Sequence, residues 1–184
     1  MVFLLTVATP PEEEKLDALL AALAAGEKEA LAGLYEETRT PVYAFAFSIL
    51  KNHTDAEDVL QDTYVRLYHA AGSYRSEGKP MAYILTVTRN LCYQRLREHS
   101  RRPEALPEEL EGLPETATVE DRVLLQACLD RLTDGERQVV TLHAVAGFRH
   151  REIAALLGMS LSGVLSRYHR AIHKLRQLCE GGTV

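Results

Sequence analysis

The sequence predicts an all-α protein built as two small helical domains joined by an acidic linker, the second domain a helix-turn-helix. Three observations carry that prediction. Apolar residues recur at steps of three and four along most of the 184 residues and almost never alternate, which is the period of helices and not of strands. Three prolines and a run of acids break the pattern once, in "SRRPEALPEELEGLPETAT" over 100–118. Near the C-terminus, "HREIAALLGMSLSGVLSRYHRAIHKL" sets a short amphipathic stretch, a glycine, a serine and a longer amphipathic stretch in succession.

Each element follows from local chemistry. Residues 1–11 read as a disordered leader, because the apolar run in "MVFLLTVATPP" is too short to span a bilayer and has no preceding Lys or Arg. Over 12–25, Leu16, Leu19, Leu20 and Leu23 share one face, Glu12 to Glu14 sit at the positive end of the helix dipole, and Gly26 is the stop. Helices are expected over 27–38 and from Pro41 to Lys51. Thr54 and Glu57 have capping-box spacing and open a helix to Ala71. After the loop "GSYRSEGK", Pro80 suits the first turn of a helix running to Glu98. Beyond the linker, helices are expected over 119–131, 134–145, 149–157 and 161–178. The first domain therefore covers 12–99 and the second 119–180.

Composition narrows the function. The net charge is -5, with no Trp and three widely spaced cysteines, Cys92, Cys128 and Cys179. That cysteine pattern gives no disulfide framework and fits a reducing, cytoplasmic compartment. The charges are segregated. Five Arg face one Glu over 89–102, six Lys or Arg face one acid over 149–176, and seven acids stand without a base over 103–121. A chain that is acidic in total can therefore still present basic faces.

Two helices carry those faces. In the helix-turn-helix, Gly158 suits the turn, Ser160 the next N-cap and Ala154 a close crossing, while Ile153, Leu157, Val164, Tyr168, Ile172 and Leu175 form the buried side. Ser162, Ser166, Arg167, Arg170, His173 and Lys174 occupy the opposite side of the second helix, a donor-rich surface suited to a major groove and its phosphates. In the helix over 80–98, Met81, Ile84, Leu85, Val87, Leu91, Cys92 and Leu96 occupy one half, and Tyr83, Thr86, Arg89, Asn90, Tyr93 and Arg97 the other. Aromatic rings between cations and an amide offer an unstacked base a surface to stack on and a backbone its countercharge.

Taken together with "DAEDVLQDTYVRLY", "YILTVTRNLCYQRLR" and "LDRLTDGERQVVTLHAVAGFRHREIAALLGMSLSGVLSRYHRA", these features resemble the extracytoplasmic-function group of bacterial sigma factors, from about Leu16 to Leu178. The resemblance implies an alternative sigma factor, not an enzyme and without a cofactor or metal, that binds core RNA polymerase and directs promoter recognition and melting. It assigns Asp55, Glu57, Asp58, Gln61, Asp62 and Arg66 to polymerase. Tyr83, Arg89, Asn90, Tyr93 and Arg97, with Tyr74 and Arg75 on the adjoining loop, are assigned to the minus-ten element. Ser162, Ser166, Arg167, His169, Arg170 and Lys174 are assigned to the minus-thirty-five element. It also implies an acidic linker running through polymerase channels, a monomer when free, no membrane insertion and an anti-sigma protein as a further partner. Three positions depart from the family pattern: Tyr83 where Trp is usual, and Gly163 and Leu165 where Thr and a base are common.

Two other readings stay open at this point. A stand-alone helix-turn-helix regulator would bind DNA tightly without polymerase, but gives the "DAEDVLQD" helix no task. A metal or redox sensor would draw on His143, His150, His169, His173 and Cys179, of which only His169 and His173 have a chelating spacing.

Overall fold

In a computed structural model of the chain, residues 12–101 and 130–181 are described, with side chains described over 12–100 and 130–177. The leader, nearly all of the linker and most of the helix expected over 119–131 lie outside them. Among the described residues seven α-helices run in the order α1 (Glu13–Ala24), α2 (Glu29–Leu50), α3 (His53–Ala70), α4 (Pro80–Arg101), α5 (Asp134–Ala144), α6 (His150–Leu157) and α7 (Leu161–Gly181), with one 3-10 turn at Ala71–Ser73. No strand occurs among the described residues.

The first four helices pack around α2, which touches α1, α3 and α4. The expected break at Pro41 does not occur, and α2 runs through it. Interior proline costs about 3 kcal/mol, but Leu34, Thr38, Val42, Phe45 and Ile49 lie on one stripe and are all buried. Burial of such side chains is worth about 1.5–3 kcal/mol each, so packing carries the helix across the proline. The cap of α3 also differs from the expectation. Asn52, not Thr54, accepts the Asp55 amide, at 2.8 Å, because asparagine stands two residues earlier and is among the best N-caps. At the far end of α4, Leu96 is exposed instead of buried. The last turns of that helix, Arg95 excepted, run out into solvent.

The C-terminal unit is a three-helix arrangement in which α5 and α6 both pack on α7. Its turn forms as expected: Gly158 takes φ +67°, the left-handed region that glycine enters without strain. Ser160 caps α7, accepting the Gly163 amide at 3.1 Å. Ile153, Ala154, Leu157 and Val164 are buried, while Tyr168, Ile172 and Leu175 are half-buried. This unit docks on the first bundle chiefly through α5 against α2, so that Val139 and Leu142 join the same buried cluster as Phe45 and Leu34.

Candidate nucleic-acid interface

Helix α3 presents Glu57, Asp58, Gln61 and Asp62 to solvent. Beyond them on the helix stand two large apolar residues, Val65, 54% exposed, and Tyr68, 39% exposed. Val65 stands three and four residues on from Asp62 and Gln61, and Tyr68 three on from Val65, spacings that were readable signals that they share the polar group's face. Asp55 is half-buried and turned toward α4. It stands 3.9 Å from Arg95 and 3.5 Å from His99, while Arg95 bonds Asp58 at 3.0 Å. Arg66 lies on the α4 side of α3, away from the centre of the acidic face.

Four of the residues assigned to the minus-ten element gather on one wall. Arg89, Asn90, Tyr93 and Arg97 of α4 line a cleft of roughly 520 Å³, together with Val87, Leu91 and Gln94 and, from α3, Arg66 and Ala70. The guanidinium of Arg89 lies over the Tyr93 ring, 5.2 Å from its centroid, which holds a cation and a stacking surface side by side. The other three residues form a second group. Tyr83 packs on Tyr74 with centroids 5.1 Å apart, and Tyr74 donates its hydroxyl hydrogen to Asp17 at 2.6 Å. Ser76 bonds the other oxygen of Asp17. These two bonds, from Ser76 first and Tyr74 second, hold the Asp17 carboxyl below its usual range. Burial, then the contact with Asp17, pushes the Tyr74 phenol up. Arg75 is exposed, with its guanidinium folded back on the Tyr74 carbonyl at 2.8 Å.

On α7, Ser162, Ser166, His169 and Arg170 are exposed. Arg167 lies across the start of α5, where a side-chain carbon on Gly135 would meet its Nε at 2.7 Å. Arg170 and Lys174 are turned onto one buried acid, Glu136, at 3.3 and 2.6 Å. Glu136 also accepts the Thr133 amide at 2.9 Å, while its own amide bonds the Thr133 hydroxyl. Burial alone would raise the Glu136 carboxyl, but Lys174 and the two Thr133 bonds outweigh it and bring the pKa to about 2. The Thr133-x-x-Glu136 spacing is a capping-box signal that marks this helix start in the sequence.

Behind this surface, the His143 and His150 rings stack at 4.7 Å, with the edge of Tyr168 at 4.9 and 4.8 Å from them. Burial, and then His143 and His169, lower the His150 pKa. Among the described residues no three His, Cys, Asp or Glu side chains are placed to hold a metal ion. Cys92 is buried, which pushes its thiol up to about 12. Cys128 and the side chain of Cys179 lie outside the described residues.

Two family models match the chain, Sigma-70 region 2 over residues 34–102 and Sigma-70, region 4 over 122–175. The sigma factor SigK of Mycolicibacterium vanbaalenii is 31% identical over 175 residues, covering 89% of this chain and 88% of that protein. The chain belongs to the extracytoplasmic-function RNA polymerase sigma factors. SigM of Mycobacterium tuberculosis is similar, 30% identical over 90% of this chain and 85% of its own. Among solved structures, CnrH in complex with the cytosolic domain of CnrY is 26% identical with a TM-score of 0.66, covering 92% of this chain and 99% of its own. The sigma factor RpoE of Bartonella quintana, crystallised with the anti-sigma factor NepR, shares the fold at a TM-score of 0.65 and 24% identity. Membership in this family favours a sigma factor over a stand-alone regulator. No helix among the described residues is long and apolar enough to cross a membrane.

Proposed function

We propose that this sigma factor divides its work among three surfaces. The exposed face of α3, with Asp58, Gln61 and Asp62 and the apolar Val65 and Tyr68, docks on core polymerase. The α4 cleft captures unpaired bases of the minus-ten element, and the free side of α7 reads the minus-thirty-five duplex through Ser162, Ser166, Arg167 and His169. The observation that carries this reading is the convergence of Arg89, Asn90, Tyr93 and Arg97 on one cleft. Unstacking a base costs a few kcal/mol, and stacking on an aromatic ring returns about 1–3 kcal/mol per base. A duplex-reading module that fixes register makes that exchange sequence-directed.

The protein acts where RNA polymerase acts, in the cytoplasm. It is a monomer when free, and its acidic segment over 100–118 follows a positively lined path in polymerase. An anti-sigma partner of the kind seen with the RpoE relative restrains it. Run-off transcription by core polymerase on a pool of genomic promoters tests the reading. New discrete transcripts are expected with the protein, and their loss on Asp58→Ala combined with Gln61→Ala. Tight promoter binding by the protein alone, with no transcripts, would overturn it.

A further inference from the structure

Helix α7 carries its cations and its exposed apolar groups on different sides. Counted from Leu161 at 100° per residue, Leu165 stands at about 40°, His169 at about 80°, Ser162 at about 100° and Ser166 at about 140°. Leu161 is 37% exposed and Leu165 half-buried, while the two serines and His169 are exposed. The first turns of α7 therefore present an apolar row, Leu161 and Leu165, beside a hydroxyl row, Ser162 and Ser166. The neighbouring cations lie round the helix on the α5 side. Arg167, at about 240°, passes from Gly163 to Gly135: its Nη1 would stand 3.5 Å from a side-chain carbon on the first, and its Nε 2.7 Å from one on the second. Arg170 and Lys174, at about 180° and 220°, converge on Glu136. Arg176 returns to the apolar side only about four turns beyond Leu161, about 22 Å along the axis.

A single leucine on a surface needs no explanation. Two in succession, on the N-terminal turns that a major-groove helix sends toward the base edges, do need one. In that groove each base pair shows a different pattern, and thymine alone adds a methyl group that apolar side chains contact. Guanine is read best by the fork of an arginine or by a lysine, and neither stands on this sector of the first turns. We propose that α7 reads thymine methyl groups in the minus-thirty-five duplex, with Leu161 and Leu165 as specificity-determining residues and Ser162 and Ser166 bonding the neighbouring base edges. The two leucines are about 6 Å apart along the axis and base pairs rise about 3.4 Å, so the two methyls belong to base pairs about two steps apart. The cations on the α5 side are left to the flanking phosphates. The inference rests on the minus-thirty-five role proposed for α7 and adds to it the base that is selected and the two residues that select it.

The test removes the methyl from the DNA and its contact from the protein. Core polymerase saturated with the full chain is titrated with a fluorescent promoter duplex found by run-off transcription, in which each thymine of the upstream element is replaced in turn by uracil, which lacks only the methyl. Uracil is expected to weaken binding about four-fold at each of two positions, the factor that corresponds to about 0.8 kcal/mol per buried carbon. Leu161→Ala is expected to abolish the penalty at one of these positions and Leu165→Ala at the other. Leu161 is exposed, so its truncation leaves the core intact, and the uracil scan itself needs no variant. A scan that is flat in the wild type, or penalties that persist unchanged in both variants, overturns the methyl reading. Binding that stays the same when the whole upstream element is scrambled would remove the minus-thirty-five role and the methyl reading together, and so is distinguishable from loss of the methyl reading alone.

Discussion

On α4, Arg89 and Arg97 line an open cleft and meet no described carboxylate. On α7, two of the three most C-terminal assigned residues, Arg170 and Lys174, converge on the carboxylate of Glu136, which is only 2% exposed. Counted along the chain, both helices are basic. In space, the first presents its charge outward, whereas the second spends part of its charge holding α7 to α5. The four-helix bundle can leave Arg89 and Arg97 without a described carboxylate because a wide apolar stripe through α1 to α4 already holds it together. The C-terminal unit has a smaller apolar core, and a buried acid gripped by two bases ties its helices together.

Removing the grip is the strongest way to break that contrast. Glu136→Ala takes away a capping-box partner and two charge-assisted bonds, and is expected to cost about 3 kcal/mol in thermal or denaturant unfolding. Glu136→Gln keeps a capping side chain and should recover about 1 kcal/mol of that. In both variants Arg170 and Lys174 are released, so non-specific duplex binding should become more salt-dependent, by about 0.9 in slope per phosphate gained. The same pair predicts an acid effect. The folded pKa of about 2 lies below the ordinary value of 4.5, so this stabilisation is complete above about pH 4.5 and is lost as the pH falls toward 2. A wild-type unfolding profile no steeper over that window than that of Glu136→Gln would show that the carboxylate does not hold the unit.

Much of the architecture was legible because helices announce themselves locally. The glycine turn, the Ser160 cap, the apolar faces of α6 and α7 and the grouping of Arg89, Asn90, Tyr93 and Arg97 all follow from residues within a few turns of each other. What stayed hidden depends on contacts distant in sequence. Over 149–176 only one acid is present, and nothing local says that Glu136 folds onto Arg170 and Lys174, 34 and 38 residues away. The tie of Tyr74 to α1 likewise depends on Asp17, 57 residues before it. The continuity of α2 through Pro41 is a third case, since local propensity argues for a break and tertiary burial decides otherwise.

Gly135→Ala sharpens the contrast with a smaller effect of mixed sign. Alanine in place of glycine early in α5 should stabilise the helix by about 0.5–1 kcal/mol. The added carbon would lie within 3 Å of the Arg167 Nε, so the arginine must swing aside, which its flexible stem permits. A thermal midpoint raised by a few degrees, together with a few-fold loss of affinity for a minus-thirty-five duplex, is expected when polymerase is held saturating. Unchanged duplex affinity in a stabilised variant would mean that Arg167 does not need its place over Gly135.

The smallest effect belongs to the ion pair between the two units, Lys51 with Asp134, whose side chains are 48% and 62% exposed. It spans the α2/α5 seam and so invites being read as the lock that holds the units together. Its exposure argues otherwise: water screens the pair, and two flexible side chains lose freedom in making it. The seam is held instead by the apolar contacts that place Val139 and Leu142 in the main core. Lys51→Ala should therefore change unfolding by less than about 0.5 kcal/mol, and raising the salt to about 1 M, where the screening length is about 3 Å, should abolish even that difference. A loss above 1 kcal/mol that persists in high salt would mean that Lys51 contributes through the packing of its aliphatic stem. The backbone is a separate matter: Lys51 adopts φ 58° at the end of α2, a strain that alanine keeps and that Lys51→Gly relieves, so the glycine variant should be more stable than the alanine one.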